Sequence, residues 1–171
     1  MKQILLLDAK NYDPALPEIR RACARGIIFI GGKLLLIEDS FGSVKLPGGG
    51  IEPNEDAPAA LIREVREETG YEVLPDTVVP FGEIEEKRLS VHESAIRHQT
   101  SLLYFCETAP DPGETAYTEN EKKYGFKRIL LPLEEAIARN KKRLEREGLQ
   151  PRNAREYQTL LAIRAHLEKR G

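Results

Sequence analysis

Apolar residues in this chain occur in short runs that glycine, proline or polar residues separate. Residues 26–30 and 33–37 form the clearest pair, because Gly31 and Gly32 between them are typical of the tight turn of a β-hairpin. Residues 44–46 predict a short strand that ends just before a run of three glycines. Further strands are predicted at residues 2–8, as an edge strand, and at 78–82, 84–88 and 100–107.

Longer segments with apolar residues on one side predict helices. Asp56 is a typical N-cap and Gly70 a typical C-terminal stop, so the residues between them are predicted to form a helix. A second helix is predicted to begin near Pro132, and a third to cover residues 154–169. The polar residues 108–120 predict a loop. Strands mixed with helices in this way place the protein in the α/β class.

Composition and charge limit the classes of protein to consider. The chain has 171 residues, of which 32% are charged and 40% hydrophobic, and these values are typical of one globular domain. A net charge of -2 and a pI near 6.0 argue against a nucleic-acid-binding protein, which usually carries a basic excess. No apolar run reaches the roughly 18 residues of a membrane span. We therefore expect a cytoplasmic protein without a membrane partner, in which Cys23 and Cys106 are reduced core residues.

One predicted helix contains a cluster of acidic residues. At about 100° per residue, Glu64, Glu67 and Glu68 share one face, and like charges at this spacing destabilise an isolated helix. A bound cation would offset that repulsion, and Mg²⁺ suits carboxylate ligands and substrate phosphates. The alternative is a solvated helix face on which the acids pair with Arg63 and Arg66.

A wider pattern of spaced residues surrounds these acids. Its members are Gly49, Glu55, Arg63, Glu64, Val65, Glu67, Glu68 and Gly70. The pattern resembles the signature of the Nudix (MutT-like) hydrolase family, which is a glycine, five residues, a glutamate, seven residues and then Arg-Glu-aliphatic-x-Glu-Glu-x-Gly. The resemblance is close over residues 46–71 and looser over 21–139. Tyr71 departs from the aliphatic residue that usually follows, and Val44 stands where the family often has a tryptophan.

The resemblance implies a fold and a division of the chain. The fold is an α/β/α sandwich, in which a mixed β-sheet lies between helices. The domain would cover residues 21–150, after an N-terminal segment at 1–20 that contains the predicted edge strand. Residues 151–171 would add a helix that either caps the domain or forms a contact in a homodimer.

The resemblance also implies a metal site. The metal would be Mg²⁺, with Mn²⁺ as a substitute, and one of its acidic ligands would also act as base for a water molecule. Glu55 and Arg63 would form a pair that orients the carboxylates. Gly49 and Gly70 would complete the motif as backbone positions. The implied metal ligands are Glu64, Glu67, Glu68 and the carbonyl of Gly48.

The activity that the resemblance implies is Mg²⁺-dependent hydrolysis of a phosphoanhydride bond in a nucleoside diphosphate linked to another moiety. The partner would be a small-molecule nucleotide or diphosphate. Two alternatives stay open: a regulatory module that binds a nucleotide without hydrolysis, and an enzyme like an isoprenoid diphosphate isomerase, for which Cys23 is poorly placed. Candidates for a further substrate contact or an extra acid are Arg88, Arg97, His98, Glu119 and Glu121.

Overall fold

The computed structural model describes residues 1–147 and 151–169. Its strands in chain order are β1 (Gln3–Asp8), β2 (Glu18–Ile27), β3 (Phe29–Ile30), β4 (Lys33–Glu38), β5 (Val44–Lys45), β6 (Gly48–Gly50), β7 (Val79–Leu89), β8 (Ile96–Phe105) and β9 (Lys127–Leu131). Its helices are α1 (Ala57–Thr69), α2 (Glu119–Lys123), α3 (Leu133–Glu147) and α4 (Pro151–Glu168). Two predictions fall partly outside the described residues. They are the domain boundary after residue 150 and the last two residues of the segment 151–171.

A mixed five-stranded sheet has the order β1-β7-β8-β2-β6. The β1–β7 and β8–β2 pairs are parallel, and the β7–β8 and β2–β6 pairs are antiparallel. β1 lies at one edge, so the predicted edge strand is confirmed. β2 begins at Glu18, well before the apolar run that predicted it, because β8 pairs with it from Glu18 to Ile27.

β4 is the centre of a second sheet, in which it pairs antiparallel with β3, β5 and β9. β3 and β4 form the predicted hairpin. The turn glycines Gly31 and Gly32 have φ values of 56° and 78°, as a two-residue turn of this kind requires. The sequence pattern does not predict β9, since its three apolar residues follow two basic ones and precede a proline.

Helices cover both faces of the sheets, which confirms the predicted α/β/α arrangement. Alternate residues of β4 show the two faces: Leu36 joins a cluster that includes α3 and α4, whereas Leu35 joins a cluster built on α1. Leu61 of α1 is buried in the second cluster. Leu160 and Ile163 of α4 are buried in the first, where α4 packs against α3, β7 and β1. The last helix therefore contributes to the main core.

The helix bounds agree well with the sequence pattern. Asp56 caps α1 by accepting a hydrogen bond from the backbone N–H of Ala59 at 2.8 Å, and Gly70 ends the helix with a φ of 75°. α3 begins next to the predicted Pro132. In the described part of the chain, no helix combines the length and the apolar character that crossing a membrane requires.

Three other elements differ from their predictions. The segments predicted at 78–82 and 84–88 form one strand, β7, whose register shifts near Pro80. β8 begins at Ile96, earlier than the predicted residue 100, because the polar residues at its start pair with both neighbouring strands. The predicted loop 108–120 gives way at Glu119 to the short helix α2.

Candidate active site

A cleft of about 560 Å³ opens between α1, the glycine strand β6 and one face of β2, β7 and β8. Its volume falls within the roughly 300–1,000 Å³ of typical ligand pockets, so a nucleotide-sized molecule fits. Of the residues that the sequence singled out, the cleft is lined by Gly48, Gly49, Arg63, Glu64, Glu67, Glu68, Arg88, Arg97 and Glu121.

β6 brings backbone to the cleft because it consists of glycine alone. A Cβ on Gly48 would overlap the carbonyl oxygen of Ala24 on β2, and the φ of Gly48 is 132°, a value that favours glycine. A Cβ on Gly49 would instead overlap the carboxylate of Glu64. The first glycine is thus required by backbone packing, and the second by a side chain of the acidic cluster.

Glu68 is the most deeply buried acid of α1, with 2% of its surface exposed. Its carboxylate accepts a hydrogen bond from the backbone N–H of Gly48 at 2.8 Å and another from the ammonium group of Lys45 at 2.7 Å. Burial raises the pKa of Glu68, and the charge of Lys45 opposes that rise. Glu68 therefore already has a cation beside it.

Arg63 holds the neighbouring acids. Its Nε and Nη2 each lie 2.9 Å from an oxygen of Glu55, which makes the ion pair bidentate. Its Nη1 lies 2.8 Å from Glu64 and 3.4 Å from Glu67. Hydrogen bonds from Arg63 lower the pKa of Glu55, and the acids in turn raise the pKa of Arg63. The structure thus brings together the two residues predicted to orient the carboxylates.

A purely solvated acidic face does not fit these contacts. Glu68 is buried, and Arg66 pairs with Glu72 at 3.2 Å and not with the cluster. This alternative pairs the acids with both Arg63 and Arg66, and of these two arginines Arg63 is the one that contacts acids of α1.

The acids can be tested against the metal that the resemblance implies. Among residues 1–147 and 151–169, no three His, Cys, Asp or Glu side chains are grouped as metal ligands, and Lys45 and Arg63 each form an ion pair with an acid of α1. The donor chemistry fits nonetheless, since three carboxylates and Gly48 line one cleft and Mg²⁺ binds such hard oxygen atoms. A cation of this kind would compete with Lys45 and Arg63 for the same carboxylates.

Strand alternation decides which of the other basic candidates reach the cleft. Arg88 of β7 and Arg97 of β8 are cross-strand neighbours, and both line it. His98, one residue further, lies on the opposite face of the sheet. Its ring nitrogens lie 2.7 Å from Glu18 and 2.8 Å from Glu85, and only the contact with Glu85 has hydrogen-bond geometry. The structure therefore places His98 away from the other candidates.

The two candidates for an extra acid lie in different places. Glu121 lines the cleft, and its carboxylate accepts hydrogen bonds from the backbone N–H and the hydroxyl of Thr118 in the capping box of α2. Glu119 is exposed and pairs with Lys122 at 2.8 Å outside the cleft. Glu121 is thus the one of the two that is near the other acids.

Several residues of the cleft were not predicted from the sequence. On β2 they alternate with a period of two, which is the signal of one strand face, but their polar character hides the strand. On β5 and α4 no sequence signal shows which residue faces the cleft. The cleft residues that were not predicted are Arg21, Cys23, Arg25, Lys45, Gly50, Glu52, Glu86, Gln99, Thr118 and Arg155.

Comparison with known proteins adds independent information. The family model described as NUDIX domain matches residues 20–152. The nucleoside triphosphatase NudI of Escherichia fergusonii is 30% identical over 63 residues, which cover 37% of this chain and 45% of that protein. The chain thus aligns with less than half the length of this curated relative.

Two solved structures show the same fold. A NUDIX hydrolase from Nitrosomonas europaea has a TM-score of 0.59 at 20% identity, over 86% of this chain and 90% of that chain. The structure of an ADP compounds hydrolase has a TM-score of 0.55 at 21% identity, over 88% of this chain and 75% of that chain. Because the family match extends over residues 20–152, far beyond the acidic helix, the chain belongs to the NUDIX family.

Proposed function

We propose that the protein is a Mg²⁺-dependent hydrolase that cleaves a phosphoanhydride bond in a nucleoside diphosphate linked to another moiety. The observation that carries this proposal is the cleft in which Glu64, Glu67 and Glu68 meet the glycine backbone of β6 and a set of arginines. Carboxylates suit a divalent cation, and arginines suit phosphate. Family membership and the resemblance to NudI, which is named a nucleoside triphosphatase, agree with it.

The three acids and the carbonyl of Gly48 would hold the metal ion. When bound, the ion supplies neutralisation of phosphate charge and a lowered pKa of bound water. Arg63 keeps the carboxylates in position through its contacts with Glu55 and Glu64. A carboxylate oxygen of the cluster accepts the proton of the attacking water, so displacement at phosphorus needs no covalent intermediate. The substrate is a free nucleotide and not a nucleic acid, in keeping with the net charge of -2.

Isotope labelling tests this proposal. Hydrolysis in ¹⁸O-water should place the label in a phosphate product, and excess EDTA should abolish the reaction. A Glu68→Gln preparation purified in parallel controls for contaminating phosphatases. Label found only in a sugar or other leaving group, or full activity in EDTA, would overturn the proposal.

One observation favours a second candidate, the isomerase-like enzyme. Cys23 is only 3% exposed, as a core cysteine should be, yet it lines the cleft and pairs with Gly50 of β6. The expectation that Cys23 is poorly placed is thus weakened. Cys23→Ala decides between the two: hydrolysis should persist in this variant, whereas an isomerase would rearrange an isoprenoid diphosphate without releasing phosphate and would lose that activity.

A further inference from the structure

One end of the cleft is lined by arginines from three neighbouring strands. Arg88 on β7 and Arg97 on β8 lie directly opposite each other in the antiparallel pair. Arg21 on β2 lies beside Gln99, two residues further along β8 and therefore on the same face as Arg97. All three side chains line the cleft. Like charges directly opposite each other destabilise a sheet, so this arrangement costs stability in the absence of an anion.

The acidic side chains at this end of the cleft do not balance the positive charge of the arginines. Glu86 is the acid between the arginines, and it is shared by Arg88 and Arg155, each 3.0 Å away. Within the described residues, Arg21 and Arg97 form no ion pair. The Nε of Arg97 is buried without a hydrogen-bond partner, and its Nη2 donates only to the neutral amide of Gln99 at 3.1 Å.

Burial and the charges of Arg88 and Arg21 together lower the pKa of Arg97. A guanidinium that is partly buried, opposed by like charge and short of acceptors is stabilised by a bound anion with several oxygen atoms. Phosphate has this chemistry.

The arginines and the acids of α1 lie next to each other along the cleft. Glu64 lies against Gly49, and the guanidinium of Arg21 lies against the next residue, Gly50. Arg97 and Arg88 follow further along the sheet. A chain of phosphates bound at the acids would therefore extend across Gly50 towards the arginines.

We propose that Arg21, Arg88 and Arg97 form a subsite for an additional phosphate, so that the substrate carries a chain of three or more phosphates. The inference rests on the proposed function and names its substrate class: the other moiety of the nucleoside diphosphate begins with a further phosphate group. Nucleoside triphosphates and dinucleoside polyphosphates share this chemistry.

Binding without turnover tests the subsite by itself. Inorganic tripolyphosphate is titrated in EDTA, by calorimetry, into the wild type and into Arg97→Gln and Arg21→Gln. Each variant should bind roughly tenfold more weakly, since each loses charged hydrogen bonds to the anion. The matched control is Arg20→Gln, because Arg20 precedes Arg21 on the opposite face and pairs with Glu18; its affinity should change less than about twofold.

The melting temperature of ligand-free Arg97→Gln should equal or exceed that of the wild type, because a repulsion is removed. Wild type that does not bind tripolyphosphate, or an equal loss of affinity in Arg20→Gln, would overturn the subsite.

Steady-state kinetics with Mg²⁺ test the substrate class. A nucleoside triphosphate, a dinucleoside tetraphosphate and a nucleoside diphosphate sugar are compared. For the first two, Arg97→Gln should raise KM about tenfold with kcat nearly unchanged. For the sugar, KM should stay the same.

A wild type that prefers the sugar, or a KM that rises equally for all substrates, would contradict the inference. If no substrate is cleaved, the hydrolase proposal fails, while the tripolyphosphate titration still decides whether the arginine subsite exists.

Discussion

The Lys45–Glu68 ion pair joins two side chains that are 14% and 2% exposed. A charge left alone at either position would be a buried charge without compensation. Burial raises the pKa of Glu68 even with Lys45 present, so the carboxyl group binds a proton more readily in the folded state than in the unfolded chain. Replacing Glu68 and replacing Lys45 should therefore change the free energy of unfolding by unequal amounts.

We expect Lys45→Met to lower the free energy of unfolding by about 3 kcal/mol at pH 7 in EDTA, because Glu68 is left charged and buried. The loss should shrink in acid. A raised folded-state pKa gives stability below the unfolded value of about 4.3, and that stability is lost as the pH rises through the folded-state pKa. Urea unfolding measures both effects, with the exposed Lys33→Met as control. Equal losses in the two variants would contradict the expectation.

Neutralising the acids should separate activity from stability. Glu64→Gln and Glu68→Gln should each lose at least about two orders of magnitude in rate, since each removes an implied metal ligand. In EDTA their melting temperatures should stay close to that of the wild type, because the Gln amide oxygen can still accept hydrogen bonds from Arg63 or Lys45. At position 68 the neutral amide also avoids the burial of a charged carboxylate. At saturating Mg²⁺ the wild type should be the more stable, since the ion binds only its folded state.

Glu72→Gln is the control for this pair of variants, because Glu72 is 58% exposed at its side chain and lies outside the cluster. If both acid variants kept their activity and were destabilised equally with and without Mg²⁺, the acids would be structural partners of Arg63.

At the level of elements, the glycine strand β6 offers a matched pair of substitutions. Gly48→Ala should destabilise the protein by at least about 2 kcal/mol, because its φ of 132° and the Ala24 carbonyl both oppose a Cβ. Gly49→Ala should leave stability within about 1 kcal/mol and reduce activity about 100-fold, since its Cβ displaces the Glu64 carboxylate. Thermal melts and rates on the same preparations separate the two. Parallel loss of stability and activity in Gly49→Ala would indicate a purely structural turn.

Local signals predicted some elements closely and others poorly. The helix α1 has a side-chain cap at Asp56 and a glycine stop at Gly70, and the observed bounds match the prediction. The start of β8 carries Arg97 and His98, whose polar side chains give no strand signal, although pairing with two neighbours makes them part of the sheet. Tertiary pairing there overrides local preference.

For the whole molecule, the last helix offers a test of how the core is completed. Leu160 is 2% exposed and lies in the cluster with α3, whereas Leu167 on the same helix is 37% exposed. Leu160→Ala should lower the free energy of unfolding by about 3 kcal/mol, because it leaves a cavity in that cluster. Leu167→Ala should lower it by less than about 1 kcal/mol. Equal effects in chemical denaturation would mean that α4 does not pack on the core in solution.

The candidate site was predicted most completely where its residues are close in sequence. The acids of α1, the glycines of β6 and Glu55 lie within residues 46–71, so their spacing identified them together. Lys45 and Arg155 reach the same cleft from β5 and α4. Nothing in a single sequence shows which distant side chains the topology brings together, and the arginine subsite depends on strand register that only the structure provides.

β1 and β2 each pair in parallel with a strand much later in the chain, β7 and β8. This topology affects when the protein can fold. Residues of β1 and β2 pair with partners about 80 positions later in the chain, such as Leu6 with Glu85 and Arg20 with His98. During synthesis β1 and the first half of β2 must stay unpaired until β7 and β8 have left the ribosome, whereas the end of β2 can pair earlier with β6. The apolar residues of β1 are thus exposed in the nascent chain, where chaperones that bind extended segments would encounter them.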